Sequence, residues 1–131
     1  MATITLNKDN FESTVSADGI VLVDFWASWC GPCRTFSPIY ESASEEHRDV
    51  VFGKIDTEDQ PELAGAFQIR SIPTLMVFRD RVLLFQQPGA LPAATLQDII
   101  SQAKALDMEE VKKKIAEQDA ADATASQSKL N

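Results

Sequence analysis

Residues 24–38 read DFWASWCGPCRTFSP. A strand-forming, aromatic-rich run gives way here to a helical pattern, and Cys30 and Cys33 stand two residues apart at the changeover. Three readings of the pair compete: a structural disulfide, half of a metal site, or a working redox couple. Closing so small a loop would constrain the unfolded chain by only about 2 kcal/mol, a weak staple. A zinc site needs about four ligands, and the chain adds only the lone His47, at the far end of the same predicted helix. A redox couple needs two sulfurs that close with little strain, the first exposed to partners. If Cys30 precedes the first helical turn, unpaired N–H groups and the helix dipole favour its thiolate. Pro32 suits that turn, because the N–H it lacks would have no partner there.

Outward from this stretch, four segments read as strands: Thr3 to Leu6, Ile20 to Ala27, Val50 to Ile55 and Thr74 to Phe78. VLLFQ at 82–86 follows the fourth so closely that a hairpin is expected. Between them lie helical spacings: Phe11 and Val15, then Phe36, Ile39, Tyr40 and Ala43, then a short helix opened by Pro61, then Leu96, Ile99, Ile100 and Ala103. The order β-α-β-α-β-α-β-β-α predicts an α/β fold with a largely parallel sheet and helices on both faces. The all-apolar second strand belongs in its middle. Pro38 removes one helical hydrogen bond and predicts a kink, and His47 is expected as a solvated helix end.

The 131 residues suit one domain with a real core. A net charge of −8 offers no basic surface for nucleic acid. The N-terminal residues lack a basic segment followed by an apolar one, and the longest apolar stretch, GIVLVDFWA at 19–27, is too short to span a bilayer. A cytoplasmic protein away from membranes is expected. In that reducing compartment a Cys-x-x-Cys pair is more often catalytic or metal-binding than structural. Composition shifts after Leu106. The expected division is a domain over 1–106 and an extension over 107–131, with Asp107 capping a short helix that carries Met108, Val111 and Ile115, followed by a frayed tail.

Asp24 lies inside an apolar strand, where a carboxylate would be buried at a cost; the alternative is an exposed strand end. Lys54 lies in the third predicted strand, from where a lysine at an edge position can point to solvent.

VLVDFWASWCGPCRTFSP at 21–38, GKIDTED at 53–59, IRSIPTLMVF at 69–78 and QPGAL at 87–91 together resemble the thioredoxin family, in order and spacing, from about residue 4 to 106. The resemblance implies a thioredoxin fold: a five-stranded, mixed, mostly parallel sheet flanked by four helices, with the C-terminal helical segment as an addition. It also implies protein-disulfide reduction, in which the Cys30 thiolate attacks and Cys33, helped by Asp24 through water, resolves the mixed disulfide. Lys54 matches the family's lysine near that acid, and Pro73 its cis-proline beside the free backbone of Ile72. Trp29, Gly31, Pro32, Ile72, Pro73, Gly89 and Ala90 would form the substrate groove, while Trp26 packs behind it. No metal or bound cofactor is implied beyond the redox-active disulfide. Electrons would come from NADPH through a thioredoxin reductase, and the partners would be that reductase and disulfide-containing proteins, met by a monomer.

Three positions depart from the family's pattern: Ser71 and Arg81 where glycine is common, and Pro88 beside Gly89. A left-handed backbone at Arg81 would cost about 1 kcal/mol. Two alternatives to a reductase are an oxidase or isomerase and a noncatalytic binding module. Oxidising relatives often carry His between the cysteines, where this chain has Gly31-Pro32.

Overall fold

In the computed structural model, which describes the backbone of residues 2–130 and the side chains of 2–122, ten elements follow one another. They are β1 (Thr3–Thr5), α1 (Phe11–Val15), β2 (Ile20–Trp26), α2 (Gly31–Glu46), β3 (Val51–Asp56), α3 (Pro61–Ala66), β4 (Thr74–Arg79), β5 (Val82–Pro88), α4 (Ala93–Ala105) and α5 (Met108–Leu130). The expected alternation holds through α4. The strands form one sheet in the order β1-β3-β2-β4-β5, so the apolar β2 takes the centre. β1 and β2 both pair parallel with β3, whereas β4 is antiparallel to β2 and to β5. Four strands therefore run one way and β4 runs against them.

Side chains alternate across the pleat, and each set meets its own helices. On one face Leu22, Phe52 and Val77 pack with Phe36 and Tyr40 of α2 and Leu96 and Ile100 of α4. On the other, Val21, Val23, Phe25, Ile55 and Met76 pack with Phe11 of α1 and with Leu63 and Phe67 at α3. By that alternation Asp24, two residues from Leu22, points to the α2 face. So does Lys54, two residues from Phe52 and directly across from Asp24 in the register.

Gly53, between them, serves close packing: a Cβ there would meet Leu6 Cδ1 at 2.5 Å. Its carbonyl also accepts the buried Tyr40 hydroxyl at 2.8 Å. α2 continues through Pro38 to Glu46 as one element. The β4–β5 turn places Asp80 at φ 50° and Arg81 at φ 72°, so the left-handed arginine is real. Asp80 offsets it from the side, because its Oδ1 accepts the Gly19 N–H at 2.8 Å.

Two expectations need correction. The extension is not a short helix with a loose tail: α5 runs 23 residues to Leu130. Asp107 caps it as read, with Oδ1 accepting from Glu109 and Glu110 N–H at 3.1 and 3.3 Å. Residues 116–130 hold five Ala and no Gly or Pro, a composition that favours helix. His47 is not simply solvated either. Its Nε2 donates to Gln97 at 2.6 Å and its Nδ1 accepts from Lys104 at 3.0 Å, which ties the end of α2 to α4.

Candidate active site

Where β2 ends, the chain turns through 27–30 and enters α2 with Cys30 as its N-cap, in extended geometry (φ −85°, ψ 113°). An N-cap normally offers an oxygen to the free N–H groups of the first turn. Here a sulfur does so: Cys30 Sγ accepts the Cys33 N–H at 3.2 Å. Such a donor, together with the helix dipole, favours negative charge on that sulfur once the pair is reduced. In this structure Cys30 and Cys33 are joined by a disulfide, with their Cα atoms 5.2 Å apart.

The expectation that only the first cysteine is exposed is corrected, since both are 4% exposed. Ile72 and Trp26 pack against the pair. Asymmetry lies instead in what each sulfur faces. Cys30 Sγ lies 3.6 Å from the Ile72 carbonyl oxygen. Cys33 lines a cavity of about 90 Å³ together with Asp24, Trp26, Arg34, Ser37 and Lys54.

Around Cys30 the predicted groove residues gather from three loops. The Ile72–Pro73 peptide is cis. The Pro73 carbonyl accepts the Gly89 N–H at 2.7 Å, and Gly89 reaches that position with φ 100°. Trp29 is 64% exposed, yet its Nε1 is anchored on Glu58 at 2.7 Å. Trp29, Ser71 and Ile72 share a shallow hollow. Gly31, Pro32 and Ala90 are exposed; Ala90 follows Gly89 with no hydrogen bond into the site among those described.

Behind Cys33, Asp24 is 1% exposed and its Oδ1 has no hydrogen-bond partner. Burial pushes its carboxyl up from the ordinary 3.8 to about 7; Lys54 works against that rise and Glu41 adds to it. Lys54 is mostly buried rather than solvent-directed, but its ammonium is spread over several neighbours. It lies 3.5 Å from Ser37 Oγ, 3.5 Å from Glu41 Oε1 and 5.0 Å above the centre of the Trp26 ring. Trp26 thus does more than fill space.

The sequence reading missed Ser37, Glu41 and Glu58. For the first two the pattern shows a shared helix face but no partner. Cys33, Ser37 and Glu41 recur every four residues, so they form a polar stripe down one side of α2. Among the described residues, no three His, Cys, Asp or Glu are grouped to hold a metal ion, and no helix is long and apolar enough to cross a membrane.

The Thioredoxin family model matches residues 2–102. Among curated relatives, a candidate thioredoxin 2 of Streptomyces coelicolor is 60% identical over 119 residues, covering 91% of this chain and 89% of its own. The thioredoxin of Alicyclobacillus acidocaldarius is 41% identical over 104 residues, 76% of this chain and 99% of its own. Among solved structures, the thioredoxin of Malassezia sympodialis superposes with a TM-score of 0.72 at 31% identity, covering 80% of this chain and 96% of its own. The sheet order, the disulfide at the start of α2 and these likenesses agree, and the chain belongs to the thioredoxin family, as a thiol-disulfide oxidoreductase that reduces protein disulfides.

Proposed function

We propose that Cys30 is the attacking sulfur and Cys33 the resolving one. The observation that carries this assignment is the different surroundings of the two sulfurs: Cys30 faces the Ile72 carbonyl and the exposed groove, Cys33 faces the Asp24 cavity. The Cys30 thiolate attacks one sulfur of a substrate disulfide, that bond breaks, and the first substrate thiolate leaves. Cys33 then gives its proton to the Asp24 carboxylate through a water molecule, for which the cavity of about 90 Å³ has room. The Cys33 thiolate attacks Cys30 and the second substrate thiolate leaves. The substrate gains two electrons, the Cys30–Cys33 pair loses them, and no prosthetic group takes part. An acid poised near 7 suits this exchange, since it both accepts and returns a proton at neutral pH.

Trp29, Gly31, Pro32, Ile72, Pro73, Gly89 and Ala90 form the surface on which an extended substrate segment pairs, and Lys54 tempers the charge on Asp24. A thioredoxin reductase drawing on NADPH regenerates the dithiol, which places the chain in cellular electron transport and redox homeostasis in the cytoplasm, working as a monomer. Residues 1–106 carry the catalysis and 107–131 are an addition to it.

Insulin reduction driven by dithiothreitol tests the assignment. Cys30→Ser should abolish the catalysed rate. Cys33→Ser should accumulate a mixed disulfide through Cys30; trapping through the other sulfur would reverse the roles. A Cys30→Ser rate equal to that of the unaltered chain would leave only the binding-module alternative.

A further inference from the structure

Lys54 carries one positive charge, and two carboxylates compete for it. Asp24, across the β2–β3 ladder from Lys54, is buried with an unpartnered Oδ1. Glu41, two turns along α2 from Cys33, reaches the same ammonium at 3.5 Å. Glu41 is itself fixed in place. The Thr3 hydroxyl, on the edge strand, lies 2.9 and 3.1 Å from its two oxygens and donates to them, and both side chains of the Lys54–Glu41 pair are about four-fifths buried, at 19% and 18% exposure. Ser37 and the Trp26 ring hold the ammonium from its other sides.

We infer that Glu41 is a positioning residue for the resolving proton transfer: it holds the Lys54 ammonium on its own carboxylate and so keeps that charge from settling on Asp24. A buried carboxylate with a full counter-ion is a weak base, while one with no counter-ion at all is too costly to ionise. Sharing the lysine between Asp24 and Glu41 sets an intermediate basicity. The other α2 groups that line the cavity with Asp24 or act on it are Tyr40, Arg34, Ser37 and the disulfide sulfur of Cys33, and in β4 Leu75 is its register partner. Among the described residues, Glu41 is the one further carboxylate that acts on Asp24, and it is the group through which the lysine is divided. The role needs no contact with substrate, since Glu41 acts entirely through Lys54.

The inference rests on Asp24 being the proton acceptor, and the test separates the two. The full-length oxidised chain, labelled with ¹³C at its aspartate carboxyls, is titrated as the unaltered protein, Glu41→Gln, Lys54→Met and the double variant, with Asp24→Asn identifying the signal. Glu41→Gln keeps the side chain's shape and the oxygen that Thr3 reaches. It should lower the Asp24 midpoint by roughly one pH unit as the lysine turns to Asp24. In the Lys54→Met background the same change should move it less than half as far. An unmoved midpoint in Glu41→Gln, or an equal movement in both backgrounds, overturns the inference while leaving the role of Asp24 standing. The resolving step, followed by stopped flow from pH 5 to 9, provides the other arm. Its pH profile should shift acidward in Glu41→Gln; a profile identical in Asp24→Asn and the unaltered chain overturns the role of Asp24, and the inference with it.

Discussion

Asp24→Asn should stabilise the folded protein at neutral and alkaline pH, and by an amount that changes with pH in a defined way. Burial raises the Asp24 carboxyl from 3.8 to about 7. Between those values the folded chain holds a proton that the unfolded chain has released. More protons bound in the folded state means that stability falls as pH rises. The fall begins near pH 4 and is complete above the folded value, somewhat beyond pH 7. Its full size is about 4 kcal/mol, from about 1.4 kcal/mol for each tenfold change in proton affinity.

The amide that replaces this carboxyl cannot ionise, so the variant lacks the loss. Burying that amide brings a cost of its own, about 1–3 kcal/mol if a donor finds no partner, but the cost is the same at every pH. The decisive quantity is therefore the difference in slope and not the stability at one pH. Urea unfolding of both oxidised proteins at half-unit steps from pH 4 to 8.5 provides it, since the other titrating groups are common to both and cancel. With a slope near 2 kcal/mol per molar urea, the gap between midpoints should widen by about 2 M across that range. Parallel curves would refute the burial-driven rise in Asp24 and, with it, the poised proton acceptor.

Other changes test the frame around the site. Gly53→Ala pushes a methyl into Leu6 and should cost about 1–3 kcal/mol in urea unfolding, without altering insulin reduction in proportion. Arg81→Gly relieves a φ of 72° and should gain up to about 1 kcal/mol, because the exposed 3.6 Å pair with Asp18 contributes almost nothing against it. Removing 107–131 uncovers the surface beneath the buried Met108 and should lower stability by about 1–2 kcal/mol while leaving insulin reduction unchanged; a large loss of activity would make α5 part of the working surface.

What could be read from the chain alone follows a physical line. Periodicity marks elements, so β2 as a largely apolar strand from Ile20 and α2 from Gly31 onward are visible in the one-dimensional pattern. Strand direction is not: nothing in TLMVFR announces that β4 runs against β2, because apolar strands buried in parallel and antiparallel pairings look alike. The same divide runs through the site. Cys30, Cys33 and Asp24 stand out because each is anomalous where it sits, a thiol pair at a helix start and an acid in a strand core. Glu41 is not anomalous. A glutamate on a long helix reads as a solvated side chain, and only the Thr3 hydroxyl from β1 and the ammonium from β3 give it a different meaning. Those two residues lie 38 positions before and 13 after it. Local pattern carries no trace of such distant neighbours, so residues that contribute chemistry directly are legible early, while those that tune it through a shared charge emerge only once the sheet has brought β1, β3 and β2 side by side beneath α2.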